Sequence, residues 1–312
     1  MYIPPMDIHK KITIEQIYES AIGLNLRITH NKQASVSINS FASIYETKPE
    51  SVSFLNNSSD LYQNFSDLKG LIIIDSKAVS SLILEQIRCS YLVVDHAKYL
   101  FCYIYKHFFL ENDAHQTLKP WKNSDAVIND NCVLEEGVLL ADDVIMGANC
   151  HIYPNVILHS GVRLGSNVII KPNTTIGGAG FGYAIRKGYP PLEMPHVGGV
   201  VIGDNVSIGS ATQIDRGTFA NTCISNDVKI DNLVHIAHNV RIGSRTLVAA
   251  TSEISGSVEI GCDSWISPGV RIKEKVKIGD QVLVGIGSVV IKNVPDSVVT
   301  VGVPARFLRE NN

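Results

Sequence analysis

From Ile128 onward an aliphatic residue recurs every sixth position, and this rhythm constrains the fold more than any other feature of the chain. The first run is Ile128, Leu134, Leu140, Met146, Ile152, Leu158, Leu164, Ile170 and Ile176, and a second is Ile202, Ile208 and Ile214. A third runs from Ile224 through Ile230, Ile236, Ile242, Val248, Ile254, Ile260, Ile266, Ile272, Ile278 and Val284 to Val290. Helices repeat every 3.6 residues and strands every 2, so neither alone gives a period of six. A fixed short repeat marks a solenoid, whose units bury their apolar side only by stacking on one another. Three six-residue sides close one triangular coil, with each aliphatic residue pointing inward. Gly follows it at Gly165, Gly177, Gly203, Gly209, Gly243, Gly261 and Gly279, which suggests permissive backbone at the corners. Val168, Val206, Val228, Val240, Val258, Val276 and Val282 fill the remaining corner space.

The pattern specifies a mainly β chain built on the hexapeptide-repeat, left-handed parallel β-helix, an exception to right-handed crossovers. Residues 1–119 lack the period. There TIEQIYESAIGL and SSLILEQIR read as helices, and LIIID (71–75) and YLVV (91–94) as buried strands, giving a small N-terminal α/β domain. AKYLFCYIYKHFFLEN reads as a packed helix at the domain junction rather than a cofactor box. The expected organisation is α/β over 1–119, β-helix over 120–303 and a short tail over 304–312.

The bulk properties exclude several function classes. A net charge of -3 gives no electrostatic case for nucleic acid or an anionic membrane. Six scattered cysteines form no CxxC pair or His-Cys cluster, so neither a disulfide framework nor a zinc site is expected. No stretch reads as a signal peptide or reaches transmembrane length, and a cytoplasmic protein is the expectation.

Two interruptions break the repeat. From Gly177 to Val201 the chain is rich in Gly and Pro, as expected of a loop ejected from one corner and lining a binding face. DRGTFANT (215–222) lengthens a single side by four residues. In the side that begins at Ile236, IAHNVR puts His238 at an outward position, close in sequence to Asp231, Asn232, His235 and Asn239. A neutral imidazole suits the removal of a proton from an attacking amine or hydroxyl. A solvated or structurally bonded histidine is the plainer alternative.

GFGY (180–183), PHVGGVVIGDNVSIGS (195–210), TQIDRGT (212–218) and KIDNLVHIAHNVRIG (229–243) resemble UDP-3-O-acylglucosamine N-acyltransferase of the lipid A pathway, and SVSFLNN (51–57) resembles its nucleotide-binding domain. The resemblance implies a homotrimer with sites between neighbouring β-helices. It implies His238 as general base, with Asp231 and Asn239 as candidates to orient the ring, and the Gly256 N–H as an oxyanion donor. It implies contacts of Phe54 and Asn57 with the nucleotide base, although Phe54 reads equally as a core residue. Phe181, Tyr183 and His196 of the long interruption are the remaining candidates for substrate contact.

The departures are specific. The second histidine of that family falls here on Glu274-Lys275, and the expected tyrosine of the nucleotide site falls on Asp60, with Tyr62 displaced by two. The family's long C-terminal helices are replaced by an ending that resembles the CoA-dependent sugar acetyltransferases. There Gly285, Gly287 and Ser288 would let a pantetheine arm approach the backbone. The expected function is therefore N-acylation of a UDP- or dTDP-linked amino sugar for a surface glycan, with a short acyl-CoA as donor and no tightly bound cofactor or metal. The alternative within the class is the lipid A enzyme using a 3-hydroxyacyl carrier protein. A non-catalytic nucleotide-sugar-binding scaffold is the alternative outside it.

Overall fold

The computed structural model describes residues 11–32, 37–44, 47–56, 65–78, 81–109 and 118–310. These divide into two units. A solenoid takes the described residues from 118 to Gly180 and from Gly198 on; an α/β unit takes those before it together with Phe181–Val197.

In the solenoid the six-residue period becomes a left-handed parallel β-helix with three faces. Face 1 contains Ile157–Leu158, Thr175–Gly178, Gln213–Asp215, His235–Ile236, Glu253–Ile254 and Arg271–Ile272. Face 2 contains Val162–Leu164, Val200–Ile202, Thr222–Ile224, Arg241–Ile242 and Glu259–Ile260, and face 3 contains Lys229–Ile230, Leu247–Val248 and Trp265–Ile266. Each strand pairs in parallel with the equivalent strand of the next coil, as in His235↔Glu253 and Ile236↔Ile254. The inward aliphatic residues and the corner valines make one continuous buried core. Each side chain in it contributes on the order of 1.5–3 kcal/mol of transfer free energy.

The corners correct the sequence reading of glycine. The left-handed backbone falls on the third residue after the inward aliphatic, at Asn131, Asn149, Asn155, Asn167, Asn173, Asn205 and Asn239 among others. Asn tolerates that conformation better than other side chains. Of the glycines one position after the aliphatic, Gly177 alone has φ near +90°. The others are needed for close approach: a Cβ on Gly243 or Gly261 would lie 2.5 Å from a backbone carbon of the coil above. Within the short tail expected over 304–312, residues 305–310 form a strand. Ala305–Glu310 pairs antiparallel with Val298–Gly302 and ends the face 3 sheet.

In the α/β unit, β1 (Ile12–Thr13) leads into α1 (Ile14–Gly23), whose start is fixed by a reciprocal Thr13–Gln16 capping box. β2 (Ile28–Lys32), β3 (Ser37–Ile38), β4 (Ser40–Phe41), β5 (Ser51–Leu55), β6 (Leu71–Asp75), α2 (Ser81–Gln86), β7 (Ser90–Val94) and α3 (Ala97–Ile104) follow. The sheet order is β2-β7-β6-β5-β4, parallel except for β2. Leu71 to Ile74 are wholly buried, which explains why β6 reads as an unbroken apolar run. α3 packs Phe101 edge-on against Phe41 at 5.0 Å, so its aromatic stripe is core.

A candidate active edge

Both interruptions of the repeat open on the same edge of the solenoid, between faces 1 and 2. The first lies between Thr175–Gly178 and Val200–Ile202, the second between Gln213–Asp215 and Thr222–Ile224. His238 occupies the same edge, between His235–Ile236 and Arg241–Ile242. One coil of 18 residues further on stands Gly256, and one more brings the exposed Glu274.

The half-buried imidazole of His238 lies where a side chain of Gly256 would be. A Cβ there would sit 2.6 Å from Cε1 and 2.7 Å from Nε2. Glycine is therefore required beneath the ring for room, and Gly256 is not among the left-handed positions. Among the described residues the Gly256 N–H donates no hydrogen bond, because its corner position turns it away from the interstrand ladder. His238 Nδ1 lies 3.0 Å from Asn239 Nδ2. Asn239 is itself clamped by the second interruption: its Oδ1 accepts from the Thr218 N–H at 2.8 Å and its Nδ2 donates to Thr218 Oγ1 at 3.1 Å. Its backbone N–H donates to Thr222 Oγ1 at 3.0 Å. The extra residues of DRGTFANT thus hold the neighbour of His238, a role that sequence reading did not assign to Thr218 or Thr222.

Further titratable groups lie along this edge and the adjoining side. Asp215 Oδ2 lies 3.7 Å from His235 Nε2. Burial pushes the Asp215 carboxyl up to about 6, and the nearby His235 opposes that rise. Burial, aided by Arg216, lowers His159 below the usual imidazole range. The Arg216 Nε donates to the Gly198 carbonyl at 2.6 Å, fastening the point where the long interruption rejoins the coil.

Other sequence candidates lie elsewhere. Asp231 belongs to the edge between faces 3 and 1, at the opposite end of the side that leads to His238. It is exposed and its Oδ1 accepts the Asn232 N–H at 2.7 Å, so within one chain it does not orient the imidazole. Gly285, Gly287 and Ser288 share that other edge. Ser288 is fully buried and its hydroxyl accepts the Gly302 N–H at 3.1 Å, so it faces the core and not a pantetheine arm. The Val301 methyl closes over Gly285, and Gly287 alone, at φ +66°, stays open.

In the α/β unit Phe54 is half-buried against Phe101, with ring centroids 4.8 Å apart, which is the packing alternative for this residue. Asn57 lies outside the described residues, as do Asp60 and Tyr62. The hairpin Tyr183–Ala184/Leu192–Glu193 belongs to this unit. Lys98 Nζ donates to the Tyr183 carbonyl at 3.0 Å, and Arg186 Nη1 donates to the Leu24 carbonyl at 2.6 Å. Phe181 is 88% exposed, edge-on to Tyr183 at 5.0 Å. His196 is buried, with Gly182 packed against its ring, so it is not an open contact. A polar cavity of about 270 Å3 lies beyond the carboxyl ends of β5, β6 and β7, lined by Asn56, Asp75, Lys77, His96, Lys98 and Tyr99 among others. Ligands of open parallel sheets bind at this end. No group of three or more His, Cys, Asp or Glu side chains that could hold a metal is found among the described residues.

Residues 143–178 match the family described as Bacterial transferase hexapeptide (six repeats). The chain is 40% identical over 136 residues to the UDP-3-O-acylglucosamine N-acyltransferase of Caulobacter sp. (strain K31), covering 43% of this chain and 39% of that protein. It is 42% identical over 121 residues to the protein of the same name from Hahella chejuensis (strain KCTC 2396), covering 39% of this chain and 34% of that protein. Among solved structures, the UDP-N-acetylglucosamine acyltransferase from Campylobacter jejuni aligns with a TM-score of 0.49 at 22% identity, over 60% of this chain and 73% of that one. The chain thus spans about two-fifths or less of the length of these curated relatives, and its similarity to UDP-3-O-acylglucosamine N-acyltransferases, which the motifs carry, holds over about two-fifths of its own.

Proposed function

We propose that the chain is an N-acyltransferase that transfers an acyl group from a thioester to the amino group of a UDP-linked, 3-O-acylated glucosamine. The observation that carries this reading is that the edge from which both interruptions leave the repeat also holds the His238 ring over Gly256. In the reaction the amine nitrogen attacks the thioester carbonyl carbon, the C–N bond forms and the C–S bond breaks. One proton of the amine ends on the released thiol. A donor such as the Gly256 N–H stabilises charge that develops only in the transition state. The cavity at the carboxyl ends of β5, β6 and β7 is the candidate nucleotide site.

The relatives' names favour the lipid A acceptor over the surface-glycan sugar of the sequence reading. The burial of Ser288 and the closure over Gly285 weaken the case for acyl-CoA, so a 3-hydroxyacyl carrier protein is the donor proposed. A homotrimer is proposed from the family resemblance, with the His238 edge of one copy facing the Asp231–Gly287 edge of the next. Trp265, at 48% exposure on face 3, and Leu233 and Ile286, at 60% and 77% on the neighbouring edge, would be covered by such packing. No helix among the described residues is long and apolar enough to cross a membrane; a cytoplasmic location is part of the proposal.

The test is thiol release from 3-hydroxyacyl carrier protein and from acetyl-CoA, with UDP-linked amino sugars with and without a 3-O-acyl group. Turnover with the carrier protein and the acylated sugar is expected. Turnover only with acetyl-CoA and the unacylated sugar would return the function to surface-glycan synthesis. His238→Ala should lower turnover about 100-fold or more; a loss below about tenfold would refute the role of this edge and favour a scaffold.

A further inference from the structure

We propose that Cys132 and Cys150 form a reversible oxidation site, a stacked pair of thiols that a small-molecule disulfide closes into a covalent staple between the first two coils of the solenoid. The two residues lie one coil of 18 residues apart, at the corner between faces 2 and 3. Both take the inward corner position that Val168, Val206, Val228 and Val282 fill in later coils. The other solenoid cysteines, Cys223 and Cys262, have Arg241 and Asp280 one coil further on. The sulfurs of the pair converge on one oxygen: Cys132 Sγ lies 3.1 Å and Cys150 Sγ 3.4 Å from the Gly147 carbonyl. The Cys150 backbone N–H also donates to Cys132 Sγ at 3.4 Å, which holds the outer sulfur against the inner residue. On either side the coils are tied by the Asn149 N–H to the Asp130 carbonyl at 2.9 Å and the Val133 N–H to the Cys150 carbonyl at 2.8 Å. Paired strands lie about 4.8 Å apart, within the roughly 4.4–6.8 Å between Cα atoms that a disulfide bridges.

The two thiols have unequal tasks. Cys132 is partly exposed and is the sulfur that an oxidant reaches, whereas Cys150 is buried, and burial pushes its thiol up to about 11. The Cys132 thiolate attacks one sulfur of the oxidant disulfide, which releases one small thiol and leaves a mixed disulfide on Cys132. Cys150 then attacks the Cys132 sulfur, its proton passes to the second departing thiolate, and the protein disulfide forms. Two protein thiols are oxidised and one small disulfide is reduced to two thiols; a dithiol reductant runs the exchange backwards. The place in the fold gives the bond its effect. Among the described residues, Val127–Ile128 and Val133–Leu134 are the end strands of faces 2 and 3, so the coil that carries Cys132 is stacked on one side only. An end coil opens before the interior ones, and a bond from its corner to the second coil closes that end.

The test exposes the folded full chain to excess glutathione disulfide, then alkylates the remaining thiols and cleaves after glutamate. Glu135 and Glu136 lie between the two cysteines, so their peptides stay together only when the disulfide joins them. The linked pair is expected as the main product and should disappear on treatment with dithiothreitol. Amide hydrogen exchange over Val127–Leu134 should slow roughly tenfold or more once the loop is closed. Cys150→Val restores the corner residue of the later coils and should stop at a glutathione adduct on Cys132, while Cys132→Val should leave Cys150 unmodified. Alkylation of both cysteines in the wild type, a stable glutathione adduct on Cys132, or a bond between other cysteines as the main product would overturn the proposal. Unchanged exchange in the linked chain would overturn the staple.

Discussion

Substitution of Gly256 separates site geometry from fold stability more cleanly than any other change on this edge. The new Cβ of Gly256→Ala would stand 2.6 Å from Cε1 and 2.7 Å from Nε2 of His238. Ordinary carbon contacts are about 3.5–4.0 Å, so the ring must retreat by about 1 Å. The atoms in the way belong to a half-buried side chain at a corner, and the backbone of Gly256 is not left-handed, so the coil accepts alanine without strain. The variant should keep its thermal midpoint, or gain up to about 1 kcal/mol from a stiffer unfolded chain. A displacement of about 1 Å at a reacting group costs on the order of 100-fold in rate, so kcat should fall by that factor. Gly261→Ala is the matched control, because its Cβ would meet the backbone of the next coil at 2.5 Å, on an edge away from His238. It should lower the midpoint in a urea or thermal melt by a few kcal/mol equivalent. If Gly256→Ala turned over within threefold of wild type, or melted like Gly261→Ala, the placement of the ring over Gly256 would be refuted.

Three further outcomes are expected. Asp215 has its carboxyl raised from 3.8 to about 6 in the folded chain, so the folded state holds an extra proton between those values. Stability tied to Asp215 is present below about 3.8 and is lost as pH rises through about 6. Asp215→Asn should therefore match the parent in urea unfolding near pH 4 and exceed it above pH 6; a parent that gains on the variant as pH rises would contradict the burial argument. Ser264→Ala removes the acceptor of the buried Val282 N–H and the donor to the Gly279 carbonyl, both at 3.0 Å, and should cost about 1–3 kcal/mol by urea denaturation. Ile236→Ala, at a fully buried ladder position two residues before His238, should cost about 2–5 kcal/mol; a neutral result would mean that the coils relax into the cavity.

The ladder was legible in the sequence because one buried aliphatic per side leaves a period that nothing else imitates. Ile236, Ile254 and Ile272 stack as counted. The same arithmetic places Gly256 and Glu274 above His238, so part of the edge was readable from spacing alone. Glycine was misread because a period says where a small residue recurs and not why: close approach of coils and left-handed backbone both select it. Asp231 misled for a related reason. It lies seven positions before His238 in the chain, yet that stretch spans one whole side and leads from one corner to the next. Thr218 was invisible, since its function lies in the amide it orients and the interruption that carries it has no period. The period also does not say where an ejected loop goes: Phe181–Val197 belongs to the α/β unit, tied by Lys98 and Arg186.

Why the chemistry collects on an edge follows from how a β-helix divides its work. Face strands are committed twice over, their N–H and C=O groups to the neighbouring coils and their alternate side chains to the core. Corners carry neither duty in full. The backbone N–H two residues after the inward aliphatic is released from the ladder, and the loop between faces can lengthen by four residues or by some twenty while the strands on either side stay paired, with one register irregularity at Ile176/Gly178. An edge is thus the one part of each coil where residues can be added and polar groups spared. Stacking then brings together residues 18 apart, or 22 where an interruption intervenes, such as His238 with Gly256 and Gln213 with His235. On the edge between faces 1 and 2 this freedom was used twice, and both times next to a titratable ring. The second insertion clamps the Asn239 amide through Thr218, and that amide lies 3.0 Å from His238 Nδ1. Shortening DRGTFANT to a six-residue side should therefore leave the ladder and its melting transition intact while turnover falls with the loss of the Thr218–Asn239 clamp, a separation that a merely tolerated loop would not produce.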